Sequence, residues 1–277
     1  MMSLHGTDPK IAEALGEAIT LARKAGEFIQ SVRAEGFSTE RKEDNSPVTR
    51  ADTGADRLIR EGIAALYPED GILSEEHGTP PDSRSGRTWV IDPLDGTRGF
   101  ISGTDEFAVQ IGMLVGEKPV MGVVYEPAVD RLYWAAEGMG TYLVMRGGTT
   151  YPARLSPRGD FSTMRLVTSH SIPEERRLEF LSSLGCQDGG SYHSVGVKVG
   201  RILRGECDIY WSGHRVSYWD SCAPLVVLEQ AGGVLTSIDG APYTYDLNVE
   251  RFEHPTSFVA TSGSAHHSVC DKLRSAI

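Results

Sequence analysis

The chain has 277 residues, 40% of them hydrophobic and 23% charged, which is the composition of an ordinary globular protein long enough to bury a large core. Its net charge of -11 argues against a nucleic-acid polymer as partner, because binding a phosphate backbone needs a basic face. The N-terminus lacks a signal-peptide pattern, no apolar run approaches the ~20 residues of a membrane helix, and the cysteines are scattered, so we expect a cytoplasmic protein with reduced thiols and no membrane association.

The first part of the chain combines two amphipathic helices with a series of short strands. Apolar spacing predicts helices at residues 9–34 and 49–66, and strands at residues 71–78 and 88–92. Thr49 is a candidate cap of the second helix. Over residues 106–143, short stretches rich in β-branched and aromatic residues alternate with turn residues. This alternation predicts an antiparallel meander.

Helices and strands alternate in the rest of the chain. Strands are predicted at residues 164–169, 207–212 and 233–237, and helices at residues 173–184, 195–204 and 221–231. The change of pattern predicts a soft boundary near residue 155. We therefore expect two lobes, residues 1–155 and residues 156–277.

Two aspartates stand three residues apart at the end of the second predicted strand, in the sequence WVIDPLDGT. The proline between them keeps Asp92 out of the helical region, so the chain turns sharply there. The turn presents the carboxylates of Asp92 and Asp95 and the Leu94 carbonyl, which are hard oxygen ligands suited to Mg²⁺. The amides of Gly96 and Thr97, at the start of a short helix, suit a phosphate group.

A single D-x-x-D turn is more often a capped turn, in which Asp95 only bonds the first amides of the helix. Two further acidic segments favour the metal site instead. Glu75 and Glu76 end the preceding strand, and Asp220 opens the apolar helix WDSCAPLVVLEQAGG, although an aspartate there is commonly a cap. An aspartyl-phosphate nucleophile is disfavoured, because the D-x-D-G-T motif of such phosphatases places its acids two residues apart.

Three motifs together resemble a known family. LSEE, WVIDPLDGT and WDSCAPLVVLEQAGG match, in order and spacing, those of the inositol monophosphatase-like family of metal-dependent, lithium-sensitive phosphatases. VTRADTGADRLIR resembles the family's upstream helix, and residues 257–273 resemble its closing strand and helix. The resemblance implies an α/β (α+β) fold, a five-layer α-β-α-β-α sandwich in two lobes with the site at their junction.

The resemblance also implies roles for individual residues. The implied Mg²⁺ ligands are Glu75, Asp92, the Leu94 carbonyl, Asp95 and Asp220. Asp52 and Thr97 match the positions that polarise and place the attacking water, and with Glu75 they are the expected catalytic residues. The backbone amides of Gly96 and Thr97 would hold the phosphate, while Glu76 is interpreted as solvated or outside the ligand set.

Charge counting gives the expected reaction. The four implied acidic ligands carry four negative charges, which two Mg²⁺ ions would neutralise, and we expect two or three ions in all. Two metals about 3.5–4 Å apart can hold both the attacking water and the leaving oxygen. We therefore expect a phosphomonoesterase that uses water directly, with no protein nucleophile.

The sequence indicates the substrate less clearly than it indicates the reaction. The segment DEFAVQIG after the turn resembles the 3'(2'),5'-bisphosphate nucleotidase (CysQ-like) branch of the family, and so does Lys198 in HSVGVKVGRIL, which could meet a second phosphate. A solvated helix face is an equal alternative for Lys198. Ser194 and Gly196 match substrate-contacting positions, with helix capping as their alternative. The favoured reaction converts adenosine 3',5'-bisphosphate to AMP and phosphate.

Two departures from that branch keep other substrates open. The segment TSHS, residues 168–171, lacks an arginine common there, and Arg98 stands where the branch often has lysine but where members acting on histidinol phosphate also have arginine. Inositol monophosphate and histidinol phosphate are therefore alternatives. A catalytically inactive protein that binds a phosphorylated metabolite is disfavoured, because every implied metal ligand is present. A homodimer is left open, since family members include dimers and monomers.

Overall fold

The computed structural model describes residues 8–42, 45–78, 82–156 and 158–276, which form alternating layers of helices and sheets. Its helices are α1 (Pro9–Glu35), α2 (Arg50–Leu66), α3 (Thr97–Ile101), α4 (Glu174–Leu184), α5 (Val195–Leu203), α6 (Tyr218–Glu229) and α7 (His266–Ala276). Its strands are β1 (Thr39–Arg41), β2 (Pro47–Thr49), β3 (Gly71–Ser74), β4 (Arg87–Asp95), β5 (Ala108–Val115), β6 (Lys118–Glu126), β7 (Arg131–Ala136), β8 (Gly140–Val144), β9 (Thr150–Ala153), β10 (Arg165–Ser169), β11 (Gln187–Tyr192), β12 (Ile209–Trp211), β13 (Val234–Ser237) and β14 (Phe258–Thr261). The helices expected from apolar spacing are all present, with ends within a few residues of the predicted ones.

Helices α1 and α2 form the first layer. The Asp8 carboxylate accepts a hydrogen bond from Lys10 N at the start of α1, and Thr49 and Asp52 form a reciprocal capping box at the start of α2. The apolar faces of both helices pack on one face of the first sheet, in a core that includes Leu15, Ile29, Ile59, Ile91 and Val123. Burying each such side chain contributes about 1.5–3 kcal/mol to folding.

The first sheet has seven strands in the order β3-β4-β5-β6-β7-β8-β9. The predicted meander over residues 106–143 is observed as β5 to β8. Antiparallel pairing continues to β4 on one side and to the unpredicted strand β9 on the other, and only the β3–β4 pair of this sheet is parallel. The short hairpin of β1 and β2 was also not predicted, because its residues are too few and too exposed to show a period.

Helices α5 and α6 form the middle layer, between the two large sheets, and two glycines allow α6 to approach the first sheet closely. Gly112 and Gly122 face each other on β5 and β6. A Cβ atom at Gly112 would lie 2.6 Å from Cys222 Sγ, and one at Gly122 would lie 2.5 Å from the Ala223 carbonyl oxygen. Larger residues would therefore push α6 away, and with it Asp220 in its first turn.

The second large sheet has five strands in the order β11-β10-β12-β14-β13. Strands β11, β10 and β12 run parallel, while β14 pairs antiparallel with both β12 and β13. Helices α4 and α7 cover its outer face in a core that includes Leu166, Phe180, Val259, Val269 and Leu273. The result is the expected five-layer α-β-α-β-α sandwich.

The predicted division into residues 1–155 and 156–277 stays a prediction. The first large sheet ends at Ala153 and the second begins at Arg165. However, α6 belongs to the later part and shares one apolar core with both sheets, including Val124, Val227 and Phe258. Within the described ranges, no helix combines the length and the apolar character needed to cross a bilayer.

Candidate active site

The end of β4 places two carboxylates in one buried cavity. Residues three apart on a regular strand point to opposite faces, but the β4–β5 register shifts between Asp92 and Asp95. Both side chains are consequently directed to the same place, where each aspartate is less than 5% exposed. The Asp92 carboxylate accepts a hydrogen bond from Leu94 N at 3.1 Å.

Helix α6 brings the third carboxylate. It begins at Tyr218 rather than at the predicted residue 221, because Ser217 and Asp220 form a capping box that starts the helix earlier. Ligand oxygens of Asp92, Asp95 and Asp220 all lie within 4.8 Å of one another. We call this group the acid cluster.

Glu75 lines the same cavity from the end of β3. Its Oε1 atom accepts a hydrogen bond from Lys42 Nζ at 2.8 Å, and Glu76 Oε1 accepts another from the same ammonium at 2.7 Å. Lys42 was not found by sequence reasoning. It stands in the loop after β1, and nothing in its local pattern indicates that it reaches two glutamates.

The electrostatics of the acid cluster favour a bound cation. Burial, together with the negative charges of Glu75, Asp95 and Asp220, raises the pKa of Asp92 well above its ordinary value. Burial and the charges of Asp95 and Glu75 raise the pKa of Asp220 to about 8. A divalent cation would remove this repulsion, and the buried oxygen donors are those that Mg²⁺ prefers. The residues present therefore fit the metal implied by the motifs.

A hydrogen-bonded pair lies beside the acid cluster. Thr97 Oγ1 donates to Asp52 Oδ1 at 2.8 Å, and Asp52 Oδ2 accepts from both the amide and the hydroxyl of Thr49 at 2.7 Å. Burial raises the pKa of Asp52, and the bonds from Thr49 oppose that shift. The N-terminus of α2 thus holds the Thr97 hydroxyl beside Asp52, and the Leu94 carbonyl, 3.2 Å from the same Oγ1, is a second acceptor.

Gly96 needs to be glycine on both conformational and steric grounds. Its φ of 91° lies in the left-handed region, and a Cβ atom there would be 2.5 Å from the Glu106 carbonyl oxygen. The residue lines the cavity together with Thr97.

Ser194 and Gly196 lie behind Asp95, at the N-terminus of α5. The Ser194 hydroxyl donates to Asp95 Oδ2, as does the amide of Gly196 at 2.7 Å, while the amide of Val195 donates to Oδ1 at 3.0 Å. Ser194 also caps α5, as its alternative interpretation expected. Their direct contact with substrate stays a prediction, since in this structure both residues orient Asp95.

Lys198 is fully buried, so the alternative of a solvated helix face is wrong. Its Nζ donates to the carbonyl oxygens of Tyr192 at 2.9 Å and His193 at 3.2 Å, and lies 4.8 Å from the Tyr210 ring centroid. Burial lowers its pKa to about 8, against the opposing charges of Asp95 and Asp220. Its predicted contact with a second phosphate stays a prediction.

The acid cluster opens into a second, larger cavity. The cavity around the acid cluster has a volume of about 440 Å³, and the adjoining one about 800 Å³. The two share lining residues that include Thr97 and His193. Cationic and aromatic side chains are prominent in the lining of the larger cavity. Its lining residues include Arg98, His170, Ile172, Arg176, Trp211 and His214.

Sequence reasoning found little of this larger cavity. The sequence of the segment TSHS indicates only that an arginine is missing, whereas in the structure its His170 lines the cavity. Arg176 and Trp211 stand in an ordinary-looking helix and strand. The sequence gives one weak signal for this cavity: three histidines, His170, His193 and His214, lie between the metal motifs, but their spacing is irregular.

Comparison with known proteins identifies the family. The inositol monophosphatase family matches residues 11–277 of this chain. A 3'(2'),5'-bisphosphate nucleotidase CysQ of Salmonella typhimurium is 33% identical over 245 residues, covering 87% of this chain and 97% of the relative. A histidinol-phosphatase of Mycobacterium tuberculosis is 31% identical over 261 residues, covering 92% and 96%. Among solved structures, Mycobacterium tuberculosis SuhB is 28% identical with a TM-score of 0.76, covering 97% of this chain and 98% of that one.

The chain belongs to the inositol monophosphatase family. It is a metal-dependent phosphatase of the class that hydrolyses small phosphate monoesters, with a candidate metal site at Asp92, Asp95 and Asp220. The fold and the phosphatase class expected from the motifs are thereby confirmed. The CysQ and histidinol-phosphatase relatives are about equally similar, so the substrate is a separate question.

Proposed function

We propose that the acid cluster and Glu75 hold Mg²⁺, two or three ions in all, with the Leu94 carbonyl as a further ligand. The supporting observation is that three carboxylates, two buried and one partly buried, converge, and none of them pairs with an arginine among the described residues. When bound, Mg²⁺ would neutralise these charges and lower the barrier to attack of water on the phosphate.

The chain's own residues place the reacting groups. The Thr97 hydroxyl lines the cavity and donates to Asp52, so it can take a proton from a water molecule while it passes its own proton to the Asp52 carboxylate. Glu75 is the further candidate acceptor, held in place by Lys42. The amides of Gly96 and Thr97 are the proposed phosphate donors, and Ser194 and Gly196 act through Asp95.

We infer that the ester is a 3'(2'),5'-bisphosphate nucleotide, such as adenosine 3',5'-bisphosphate. The single observation that carries this choice is the larger cavity next to the acid cluster. Its lining includes Arg98 and Arg176, which would meet a second phosphate, and Trp211, which would meet a base. Its volume of about 800 Å³ suits a nucleoside better than a bare polyol.

Histidinol phosphate is the second candidate. Histidinol-phosphatases of 31% and 34% identity are similar to this chain over most of its length. Arg98, in the turn after the metal motif, also fits that assignment. Inositol monophosphate is the third candidate. A cytoplasmic location, lithium sensitivity and a homodimer stay predictions.

A phosphate-release panel tests the proposal. It compares adenosine 3',5'-bisphosphate, histidinol phosphate, inositol 1-phosphate and fructose 1,6-bisphosphate, each with Mg²⁺ and with excess EDTA. We expect EDTA-sensitive activity with the highest kcat/KM on the bisphosphate nucleotide. A higher kcat/KM on histidinol phosphate or inositol 1-phosphate would contradict the substrate but not the chemistry.

A pair of arginine variants sharpens the test. Arg176→Gln should raise the KM for adenosine 3',5'-bisphosphate by about tenfold, because a charge-assisted bond to the second phosphate is lost. The KM for a nucleoside 3'-monophosphate should not change. Arg177→Gln is the matched control, since Arg177 pairs with Asp188 outside the cavity. Equal effects of the two variants would contradict the role of Arg176.

A further inference from the structure

A second group of metal-ligating side chains lies beside the larger cavity, apart from the acid cluster. It consists of Glu106, His170 and His193, and one ligand atom of each lies within 4.8 Å of the others. His170 Nε2 is 3.2 Å from Glu106 Oε2, and the two imidazole centroids are 4.3 Å apart. The proposed phosphatase chemistry uses none of these three side chains.

We propose that Glu106, His170 and His193 form a binding site for a transition-metal cation of the Zn²⁺ class. Two imidazoles and one carboxylate are a donor set that suits Zn²⁺ and does not suit Mg²⁺, which prefers oxygen. Three protein ligands leave a coordination position open, and here it would face the larger cavity. The inference concerns a different site from the acid cluster and does not depend on the proposed substrate.

The spacing of the three side chains is close to what one ion requires. Zn²⁺ bonds to nitrogen and oxygen of about 2.0–2.2 Å put tetrahedral ligand atoms about 3.4 Å apart. The separation of His170 Nε2 and Glu106 Oε2, 3.2 Å, is near this value, and a ligand atom of His193 lies within 4.8 Å of both, so the His193 ring would move toward a cation bound there.

The surrounding backbone holds the ligands in place. Glu106 Oε2 accepts a hydrogen bond from the His193 amide at 3.1 Å, which fixes the carboxylate against the second histidine. The His170 amide donates to the Tyr192 carbonyl at 3.3 Å. Such bonds from outside the ligand set orient ligands and are typical of metal sites.

The access route is also suitable. His193 lines both cavities, and His170 lines the larger one. The His170 side chain is 43% exposed, which opens the site to solvent.

Calorimetric titration with Zn²⁺, in buffer that contains excess Mg²⁺, tests the site. We expect one tight binding event per chain that is weakened at least about tenfold in His170→Gln and in Glu106→Gln. His214→Gln is the matched control, because it removes another imidazole from the same cavity without touching the three ligands. Its Zn²⁺ affinity should equal that of the wild type.

An Asp220→Asn variant separates the two metal sites. The tight Zn²⁺ event should persist in this variant, because the acid cluster is not needed for it, while Mg²⁺ binding should be lost. Absence of a tight event, its survival in both His170→Gln and Glu106→Gln, or its loss in Asp220→Asn would each overturn the inference. Circular dichroism of every variant confirms that binding is compared between folded proteins.

Discussion

Carboxylates at two places in this protein have opposite electrostatic surroundings: Glu126 on one side and the acid cluster on the other. Glu126, on β6, is 3% exposed, yet its oxygens accept from Arg131 and Arg204, each at 3.1 Å. In the acid cluster, Asp92 and Asp95 are buried to a similar degree, while Asp220 is partly buried. Within the described part of the chain, none of its three members forms an ion pair with a lysine or arginine.

This difference distinguishes a buried carboxylate that stabilises the fold from carboxylates that bind a cation. Burial raises the pKa of Glu126, but the charges of Arg204 and Arg131 oppose the shift. At Asp92 the neighbouring charges add to the effect of burial instead. In the folded chain such repulsion is relieved by a bound cation or, without one, by protonation, so the uncompensated group indicates the metal site.

The largest expected effect comes from changing one carboxylate of the acid cluster to an amide. Asp92→Asn should lower kcat/KM for phosphate release by about a thousandfold or more, because several kcal/mol of metal-based stabilisation are lost. Without metal, the same variant should unfold at a higher temperature than the wild type, since repulsion is reduced. Unchanged turnover with Mg²⁺ would contradict the metal assignment.

Changing Glu126, the carboxylate paired with two arginines, to an amide should lower stability and leave activity nearly unchanged. Glu126→Gln leaves buried guanidinium groups with a weaker partner, so it should lower the free energy of unfolding by about 3 kcal/mol. Urea denaturation measures this change. Its kcat, measured below the unfolding transition, should stay within about threefold of the wild type. A large loss of kcat with normal stability would contradict the purely structural role of Glu126.

Metal-free protein should lose stability as the pH rises from about 6.5 to 8. Asp220 has a pKa of about 8 when folded and about 3.9 when unfolded, so in this range the unfolded chain has already released a proton that the folded chain keeps. Buried His254 and His266, with folded pKa values of about 3 and 4, oppose the decline only while unfolded imidazoles still titrate near pH 6.5, so the decline is clearest above about pH 7. Melting temperatures in EDTA measure the decline, which Asp220→Asn should flatten. A rise with pH would contradict the repulsion.

The smallest expected effect concerns Lys198. Lys198→Met removes a buried positive charge near Asp95 and Asp220, so Mg²⁺ affinity should increase on the order of fivefold, or roughly 1 kcal/mol. Calorimetry measures the affinity. Lys118→Met is the control, because Lys118 is an exposed residue at the opposite end of the first sheet. Weaker Mg²⁺ binding by Lys198→Met would contradict this electrostatic account.

Much of the acid cluster could be predicted because its information is local. The sequence WVIDPLDGT contains its own strand, its own turn and two of the three carboxylates, and Asp220 lies in the first turn of a helix whose apolar character is plain. What could not be predicted is how these parts meet. The register shift that turns Asp92 and Asp95 to one side depends on pairing with β5, and the approach of α6 depends on Gly112 and Gly122.

The larger cavity shows the same limit more strongly. Glu106, His170 and His193 come from three segments that lack a shared motif, and only the packing of the two sheets brings them together. Strand β11 was missed because QDGGSY is polar and contains two glycines, although it pairs with β10 in the structure. Lys42 reaches two glutamates through a loop whose course no periodicity describes.

Anomalous diffraction from crystals grown with Mn²⁺ in place of Mg²⁺ tests the central claim most directly. The account predicts an anomalous peak bonded to oxygens of Asp92, Asp95 and Asp220, which disappears from crystals of Asp92→Asn. An empty acid cluster at saturating Mn²⁺, with its three carboxylates turned apart or bonded only to protein groups, would contradict it.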